Sequence, residues 1–174
     1  MRNEVRYTVG MRSKNSTSYY RNFVFGVEDS LVSTVGLLSG ISIAGVANQT
    51  IIMTGVVLIF VEAISMGAGS FLSESSAELY EHQKDSALSR SYMDALVMFI
   101  SYLVSGFIPL LPYLFLSSSQ AFLGSIAVSL VALLVLGIAS ARLSHTSTTK
   151  GVLRMVLVGG AAIAIGSIVG RLFG

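Results

Sequence analysis

The 174-residue chain has the composition of a membrane protein. Hydrophobic residues make up 53% of it, charged residues only 11%, and the mean hydropathy is +0.76, values far from those of a soluble domain. The lack of cysteine excludes disulfides, thiolate metal sites and cysteine nucleophiles. The net charge of +2 does not point to nucleic acid as a partner, because the basic residues lie beside apolar stretches and form no single stripe.

Five apolar segments are long enough to cross the hydrocarbon core of a bilayer, which requires about 20 residues. The segment before the first of them, residues 1–21, is polar and basic and has no apolar signal-peptide core. We therefore predict an all-α membrane protein with a cytosolic N-terminal segment, 1–21, and one five-helix transmembrane domain, 22–174. The predicted spans are 22–46, 50–73, 93–116, 120–143 and 151–172.

The distribution of Lys and Arg predicts the orientation of these spans. Of the 11 Lys and Arg residues, all except Arg171 fall on the side of the N-terminus. The positive-inside rule therefore places the N-terminus in the cytosol and the C-terminus outside. The longest connection, from Glu74 to Tyr92, then faces the cytosol.

Three acids lie within the first two spans: Glu28 and Asp29 in the first, and Glu62 in the second. A charged side chain in the hydrocarbon region costs at least about 2.5 kcal/mol, so such residues usually face a bundle interior and mark an ion or proton path. At 1.5 Å per residue, Asp29 and Met66 both lie roughly 10 Å from the cytosolic ends of their spans, so they can share one layer. Glu62 lies about 16 Å deep, near the midplane.

A carboxylate together with a thioether suits a transition metal better than Ca²⁺ or Mg²⁺. The candidate metal ligands are therefore Asp29, Met66, Glu62 and Glu28, and Glu62 and Glu28 are also candidates for proton coupling. Each has a structural alternative. Met66 could be ordinary core packing, and Asp29 or Glu62 could be an acid bonded to Ser and backbone groups between helices. Glu28 lies about 100° around the helix from Asp29 and could instead bond a neighbouring helix.

Glycines recur on the same helix faces as these polar residues. Small residues four apart allow helices to approach closely, either within one protomer or between two. The candidate packing positions are Gly36, Gly40, Gly69, Gly166 and Gly170.

The cytosolic connection carries a second acidic pattern. If the second helix continues past the membrane, its acids form one face that could gather divalent cations near a pore mouth. The alternative is an ordinary solvated charged face. The residues are Glu74, Glu78, Glu81 and Asp85, with His82 adjacent.

Two segments resemble the vacuolar iron transporter family. RNFVFGVEDSLVSTVGLLSG, Arg21–Gly40, is similar to the first span of that family, and EAISMGAGSFLS, Glu62–Ser73, resembles its second-span signature. The ending GGAAIAIGSIVGRLFG is similar to the fifth span. The resemblance implies a homodimer of five-helix protomers that exports Fe²⁺ or Mn²⁺ from the cytosol in exchange for protons, with Asp29 and Met66 at the membrane metal-binding positions.

The chain departs from the family pattern at three positions. Asn22 replaces the usual acid after Arg21, Ser30 replaces the usual Gly, and Ser70 stands where many members have an acid. Glu28 is an additional acid that could substitute in proton coupling. The larger cytosolic metal-binding domain of plant and protozoan members is absent between the second and third spans.

We predict a transporter of divalent transition metal and no prosthetic group. A non-transporting membrane scaffold with the same helix packing is the alternative. An enzyme is not expected, since both histidines, His82 and His145, lie in cytosolic connections without a Ser or Zn motif. The predicted location is a prokaryotic plasma membrane, with a vacuole-like organelle second.

Overall fold

Five α-helices make up the part of the chain that the structure describes. The computed structural model describes residues 2–82 and 88–174, and the side chains of residues 17–77, 79–80 and 91–174. Within that part of the chain there is no β-strand, and the all-α, five-helix prediction is confirmed. The helices are α1 (Arg2–Ile43), α2 (Asn48–His82), α3 (Leu88–Phe115), α4 (Ser118–Leu143) and α5 (Thr148–Phe173).

Each helix contains a stretch that is long and apolar enough to cross a membrane, and each stretch overlaps one predicted span. α1 begins before its membrane-length stretch, and α2 ends after its own, at His82. The helix of the second span therefore continues past the membrane-length stretch, as the sequence analysis considered. The five stretches are Thr17–Ile43, Asn48–Ala77, Ser91–Phe115, Ser118–Leu143 and Thr148–Phe173.

Two tight turns explain where α1 and α4 end. Gly45 adopts a left-handed conformation with φ 78°, and the amide of Val46 donates to the carbonyl of Ile41 at 3.2 Å. This is the Schellman geometry, which satisfies the last carbonyls of a helix and favours glycine at the left-handed position. The turn after α4 has the same pattern, with His145 at φ 52° in place of a glycine.

α1 is the central helix, because it packs against all four others. Its middle contributes to both apolar clusters of the interior. Leu38 packs with Ile59 and Leu110 of α2 and α3, whereas Leu31 packs with Leu133 and Met155 of α4 and α5. A helix in this position carries its polar residues into the bundle and not toward lipid, which explains how α1 tolerates the lowest hydropathy of the five spans.

Glycines bring α1 and α5 into backbone contact. A Cβ added to Gly40 would lie 2.9 Å from the Gly166 carbonyl oxygen, and one added to Gly36 would lie 3.3 Å from the Ala162 carbonyl oxygen. Cβ atoms at Gly166 and Gly170 would collide with the carbonyls of Gly36 and Gly40. These four glycines therefore pack within one protomer. Gly69 differs, since a Cβ there would meet no atom within 4 Å.

Candidate functional site

Asp29 lies half-buried on α1, at a groove that residues of α1 and α5 line together. The groove has a volume of about 490 Å³ and an almost entirely apolar lining. Ser33 and Gly36, one and two turns further along α1, line the same groove. Asp29 is therefore an acid on the wall of an apolar recess inside a membrane-length helix.

Glu62 of α2 lies within electrostatic range of Asp29, with no direct contact between the two carboxylates among the described hydrogen bonds. The hydroxyl of Tyr102, a fully buried residue of α3, also lies within electrostatic range of both acids. That hydroxyl is 2.7 Å from Ser33 Oγ, and the Tyr102 backbone carbonyl accepts a hydrogen bond from Ser30 Oγ at 2.6 Å. The structure thus places a phenol and a hydroxyl in contact with each other and within electrostatic range of one carboxylate from α1 and one from α2.

These four groups provide oxygen donors only, which can bind a divalent cation or carry a proton. Among the residues that the structure describes, no three His, Asp or Glu side chains come together as a metal shell within one protomer. Glu28 is half-buried on α1 next to Asp29 but does not line the groove that Asp29 faces. Tyr102 was not predicted from the sequence, because a tyrosine in an apolar span resembles ordinary packing.

Met66 lines a different recess, which lies between α1, α2 and α3. This cavity has a volume of about 310 Å³. Six of its lining residues matter for the chemistry, namely Arg21, Asn22, Met66, Ser70, Glu74 and Met98. Met66 and Glu62 are one helical turn apart on α2, so the cavity and the pair of acids are neighbours along that helix.

A hydrogen-bond network crosses the wall of this cavity. Asn22 Nδ2 donates to Asp94 Oδ1 of α3 at 2.9 Å, and Ser70 Oγ donates to Asn22 Oδ1 at 3.2 Å. Asp94 is fully buried, and its second oxygen, Oδ2, has no hydrogen-bond partner within the described residues. The sequence prediction missed Asp94, because an acid one residue inside a predicted span reads as an interfacial residue.

Arg21 and Glu74 form an ion pair between α1 and α2 at the end of the same cavity. The Arg21 side chain is 65% exposed and that of Glu74 is 17% exposed. Glu74 is the first residue of the predicted cation-gathering face. The side chains of the others, Glu78, Glu81, His82 and Asp85, lie outside the described residues.

Five membrane-length helices in the described part of the chain, with acids such as Glu28, Asp29, Glu62 and Asp94 inside them, define a multi-pass membrane protein with an ionisable interior. The chain belongs to the VIT family, whose family model matches residues 20–90 and 80–171. The resemblance found in the first two spans is thereby confirmed.

Curated plant proteins are similar to the chain, two of the following three over most of their length and the third over about a third of it. Vacuolar iron transporter 1 of Tulipa gesneriana is 23% identical over 209 residues, covering 86% of this chain and 85% of the relative. Vacuolar iron transporter homolog 5 of Oryza sativa subsp. japonica is 28% identical over 168 residues, covering 90% and 81%. A vacuolar iron transporter of Centaurea cyanus is 38% identical over 76 residues, 43% of this chain and 31% of that protein.

Proposed function

We propose that this protein transports a divalent transition metal, Fe²⁺ or Mn²⁺, out of the cytosol in exchange for protons. The observation that carries the proposal is that Asp29 and Glu62, from two different membrane-length helices, lie within electrostatic range of each other. Two carboxylates in such a place repel each other unless a cation or a proton lies between them. The names of the curated relatives, which are iron transporters, support a metal as the cargo.

The proposed metal-binding residues are Asp29, Glu62, Met66 and Glu28, in that order of support. Asp29 and Glu62 provide the carboxylates, and Met66 is one turn from Glu62 in the neighbouring cavity. Carboxylate and thioether donors together favour Fe²⁺ or Mn²⁺ over Ca²⁺ and Mg²⁺. Glu28 completes the proposed set, because it is the acid next to Asp29 on α1.

The direction of transport rests on charge asymmetry. The basic residues near the start of α1, between α2 and α3 and between α4 and α5 place those ends in the cytosol. The cavity with Met66 and the Arg21–Glu74 pair then opens on the cytosolic side, where the metal enters. A prokaryotic plasma membrane stays the predicted location and a vacuole-like membrane the second, the curated relatives being vacuolar plant proteins by name.

A homodimer is part of the proposal. One protomer supplies two carboxylates near Tyr102, and a second copy facing the α1 groove would contribute its own Asp29 to a shared pathway. The cytosolic acids from Glu74 to Asp85 would flank the entrance from both protomers and raise the local concentration of cations.

The test of the metal site is Fe²⁺ and Mn²⁺ flux in proteoliposomes, with Zn²⁺ and Ca²⁺ measured beside them. We expect Asp29→Ala to abolish flux, because one of the two proposed carboxylate ligands is gone. Asp29→Glu, which keeps a carboxylate, is the matched variant and should retain partial flux. Wild-type flux from Asp29→Ala would show that Asp29 is not a required metal ligand. Absence of flux in the wild-type protein itself would favour the membrane scaffold.

Proton coupling is tested at Glu62. Glu62→Gln keeps the size and hydrogen-bonding capacity of the side chain but cannot take up a proton. We expect metal flux to stop or to lose its dependence on a pH gradient, read from a pH-sensitive dye inside the vesicles. Glu28→Gln serves as the parallel variant. If flux and coupling both survive Glu62→Gln and fail in Glu28→Gln, the proton carrier is Glu28.

A further inference from the structure

Asp94 is an acid in the interior of the bundle that the proposed metal site does not use. Its side chain is fully buried, and its Oδ1 accepts a hydrogen bond from Asn22 Nδ2 at 2.9 Å. The other carboxylate oxygen, Oδ2, has no hydrogen-bond partner among the described residues. One bond from a neutral amide does not balance a buried negative charge, and a carboxyl group in such a place becomes neutral by taking up a proton.

The charged groups on the helices packed against α3 do not supply the missing balance. On α1 and α2, the described charged residues at this end of the bundle are Arg21 and Glu74, which pair with each other. Arg142, in the last turn of α4, is exposed, and so is Tyr92 of α3 itself. Within the described part of the chain, Asp94 therefore has no ion-pair partner. The charged side chains nearby in sequence that lie outside that part are those of Glu78, Glu81, His82, Lys84, Asp85 and Arg90.

Fastening α1 to α3 does not require a carboxyl group. Asp94→Asn would keep an oxygen that accepts the same bond from Asn22, and it would bring no chargeable group into the bundle. An ionisable side chain inside a membrane-length helix is costly and usually marks the path of an ion or a proton. The acid at position 94 therefore has a use beyond the hydrogen bond.

Asp94 lies nearer the predicted cytosolic side than the two acids of the proposed metal site, and on the same three-helix side of the bundle. It comes three residues after Ser91, where the membrane-length stretch of α3 begins, which corresponds to about 5 Å along the helix. On each of α1, α2 and α3, about two helical turns, or roughly 10–12 Å, lead from this layer to the next polar one. The three steps run from Asn22 to Asp29, from Ser70 to Glu62 and from Asp94 to Tyr102.

The cavity that Met66 lines lies along these steps. Its lining includes the Asn22 amide and the hydroxyls of Ser70 and Ser73, neutral groups that both donate and accept hydrogen bonds. Its volume of about 310 Å³ leaves room for several water molecules, since each occupies about 30 Å³ in the liquid. A neutral hydrogen-bonding lining suits water, and water can carry protons between acids.

We propose that Asp94 is the group that passes the counter-transported proton to the cytosol. A proton that has reached the layer of Glu62 from outside moves through water in the cavity to Asp94, where an O–H bond forms on a carboxylate oxygen. That bond breaks when the proton leaves to cytosolic water, and Asp94 is a carboxylate again. One proton arrives and one leaves, so no other reactant is needed. Asn22 is a positioning residue, because it holds the carboxyl group at the wall of the cavity.

This inference rests on the proposed function, since the proton is the counter-ion of that antiport. The test compares two kinds of Mn²⁺ transport in proteoliposomes. Flux driven by an imposed pH gradient requires that a proton be released, whereas exchange of Mn²⁺ for isotopically labelled Mn²⁺ without a gradient does not. We expect Asp94→Asn to lower the gradient-driven flux by at least about tenfold and to leave the exchange close to the wild-type rate.

Asn22→Ala is the control for a purely structural role, because it removes the hydrogen bond and leaves the acid. If Asp94 only fastened α1 to α3, Asn22→Ala would impair exchange and gradient-driven flux alike, and Asp94→Asn would impair neither. We expect the opposite, with gradient-driven flux retained in Asn22→Ala and lost in Asp94→Asn. Thermal unfolding shows whether each variant is folded. Asp94→Ser, which also cannot take up the proton, replaces Asp94→Asn if the latter does not fold.

Two results would overturn the role of Asp94: gradient-driven flux equal to that of the wild type in Asp94→Asn, or equal loss of exchange and gradient-driven flux in that folded variant. Failure of the proposed function gives a different result. A wild-type protein that moves no Mn²⁺ in either assay refutes the transporter and this inference with it. Gradient-driven flux in the wild type that Asp94→Asn leaves intact keeps the transporter and refutes the role of Asp94.

Discussion

The two sides of α1 are built on different physical principles. Toward α5, glycines bring the two backbones into contact, and the side chains that remain are almost entirely apolar. Toward α2 and α3, hydrogen bonds and a cavity replace close packing: Asn22 bonds Asp94, Ser30 bonds the Tyr102 carbonyl and Ser33 contacts the Tyr102 hydroxyl. One side is suited to hold α1 in place, and the other contains the polar groups near which we propose that an ion binds.

Close backbone contact leaves no space for added side-chain atoms, whereas the polar groups around a cavity can exchange one bound partner for another. Packed interiors transmit any added volume as strain. Polar groups around a recess exchange one partner for another at small net cost, provided that each keeps a partner. Asp29 lies where the two sides of α1 meet, because it lines the groove beside α5 and is within electrostatic range of Glu62 of α2.

The largest effect on stability is expected from Gly166→Ala, at the contact between α1 and α5. The added Cβ would collide with the Gly36 carbonyl, and backbone cannot move aside as a flexible side chain can. Overpacking of this kind costs about 1–3 kcal/mol of unfolding free energy, measured by denaturation in detergent micelles.

The matched control for Gly166→Ala is Gly160→Ala on the same helix. A Cβ at Gly160 would meet nothing within 4 Å, so its stability should be unchanged or slightly raised by the better helix propensity of alanine. Equal stability of the two variants would show that α1 and α5 are not in backbone contact.

A smaller effect is expected from Tyr102→Phe, which removes the hydroxyl that contacts Ser33 and lies within electrostatic range of the two acids. A lost hydrogen bond of this kind is worth about 1 kcal/mol, or about fivefold in metal flux if the bond orients the site during transport. Tyr113→Phe is the control, since Tyr113 is equally buried and its hydroxyl donates to the Leu38 carbonyl. Flux that falls in both variants alike would indicate general loosening of the bundle.

The smallest effect on stability is expected from Arg21→Gln at the cavity entrance. The Arg21 side chain is mostly exposed, and exposed ion pairs contribute about 0–1 kcal/mol. We expect an unfolding transition close to that of the wild type, together with a lower apparent Km for metal, because Glu74 loses its competing cation. An unfolding free energy reduced as much as in Gly166→Ala would mean that the ion pair is structural and not an entrance.

Hydropathy was sufficient to predict the helices, because the length and apolar character that a bilayer demands are properties of consecutive residues. The five segments drawn from the sequence each overlap one structural span. The largest difference is at α1, which begins its membrane-length stretch at Thr17 and not at Asn22, and ends at Ile43 because the Gly45 turn follows.

The candidate site was predicted only in its members and not in their arrangement. Asp29, Glu62 and Met66 were recognised because a polar residue in an apolar run is visible along the chain. Their surroundings were not, since Asp29 lines the groove beside α5 within electrostatic range of Glu62, whereas Met66 lines the cavity between α1, α2 and α3. Asp94 and Tyr102 were missed entirely.

The sequence by itself determined that this chain forms five membrane-length helices with acids and glycines on particular faces, since periodicity and hydropathy are local properties. Only the tertiary structure decided that the glycines close α1 onto α5 and that Asn22, Ser70 and Asp94 meet from three helices. Helix rotation and the choice of neighbours depend on the packing of all five helices at once. For this physical reason, residues far apart in the sequence can become hydrogen-bond partners without any local sequence pattern that predicts it. Asn22 and Asp94, separated by 72 positions, are an example.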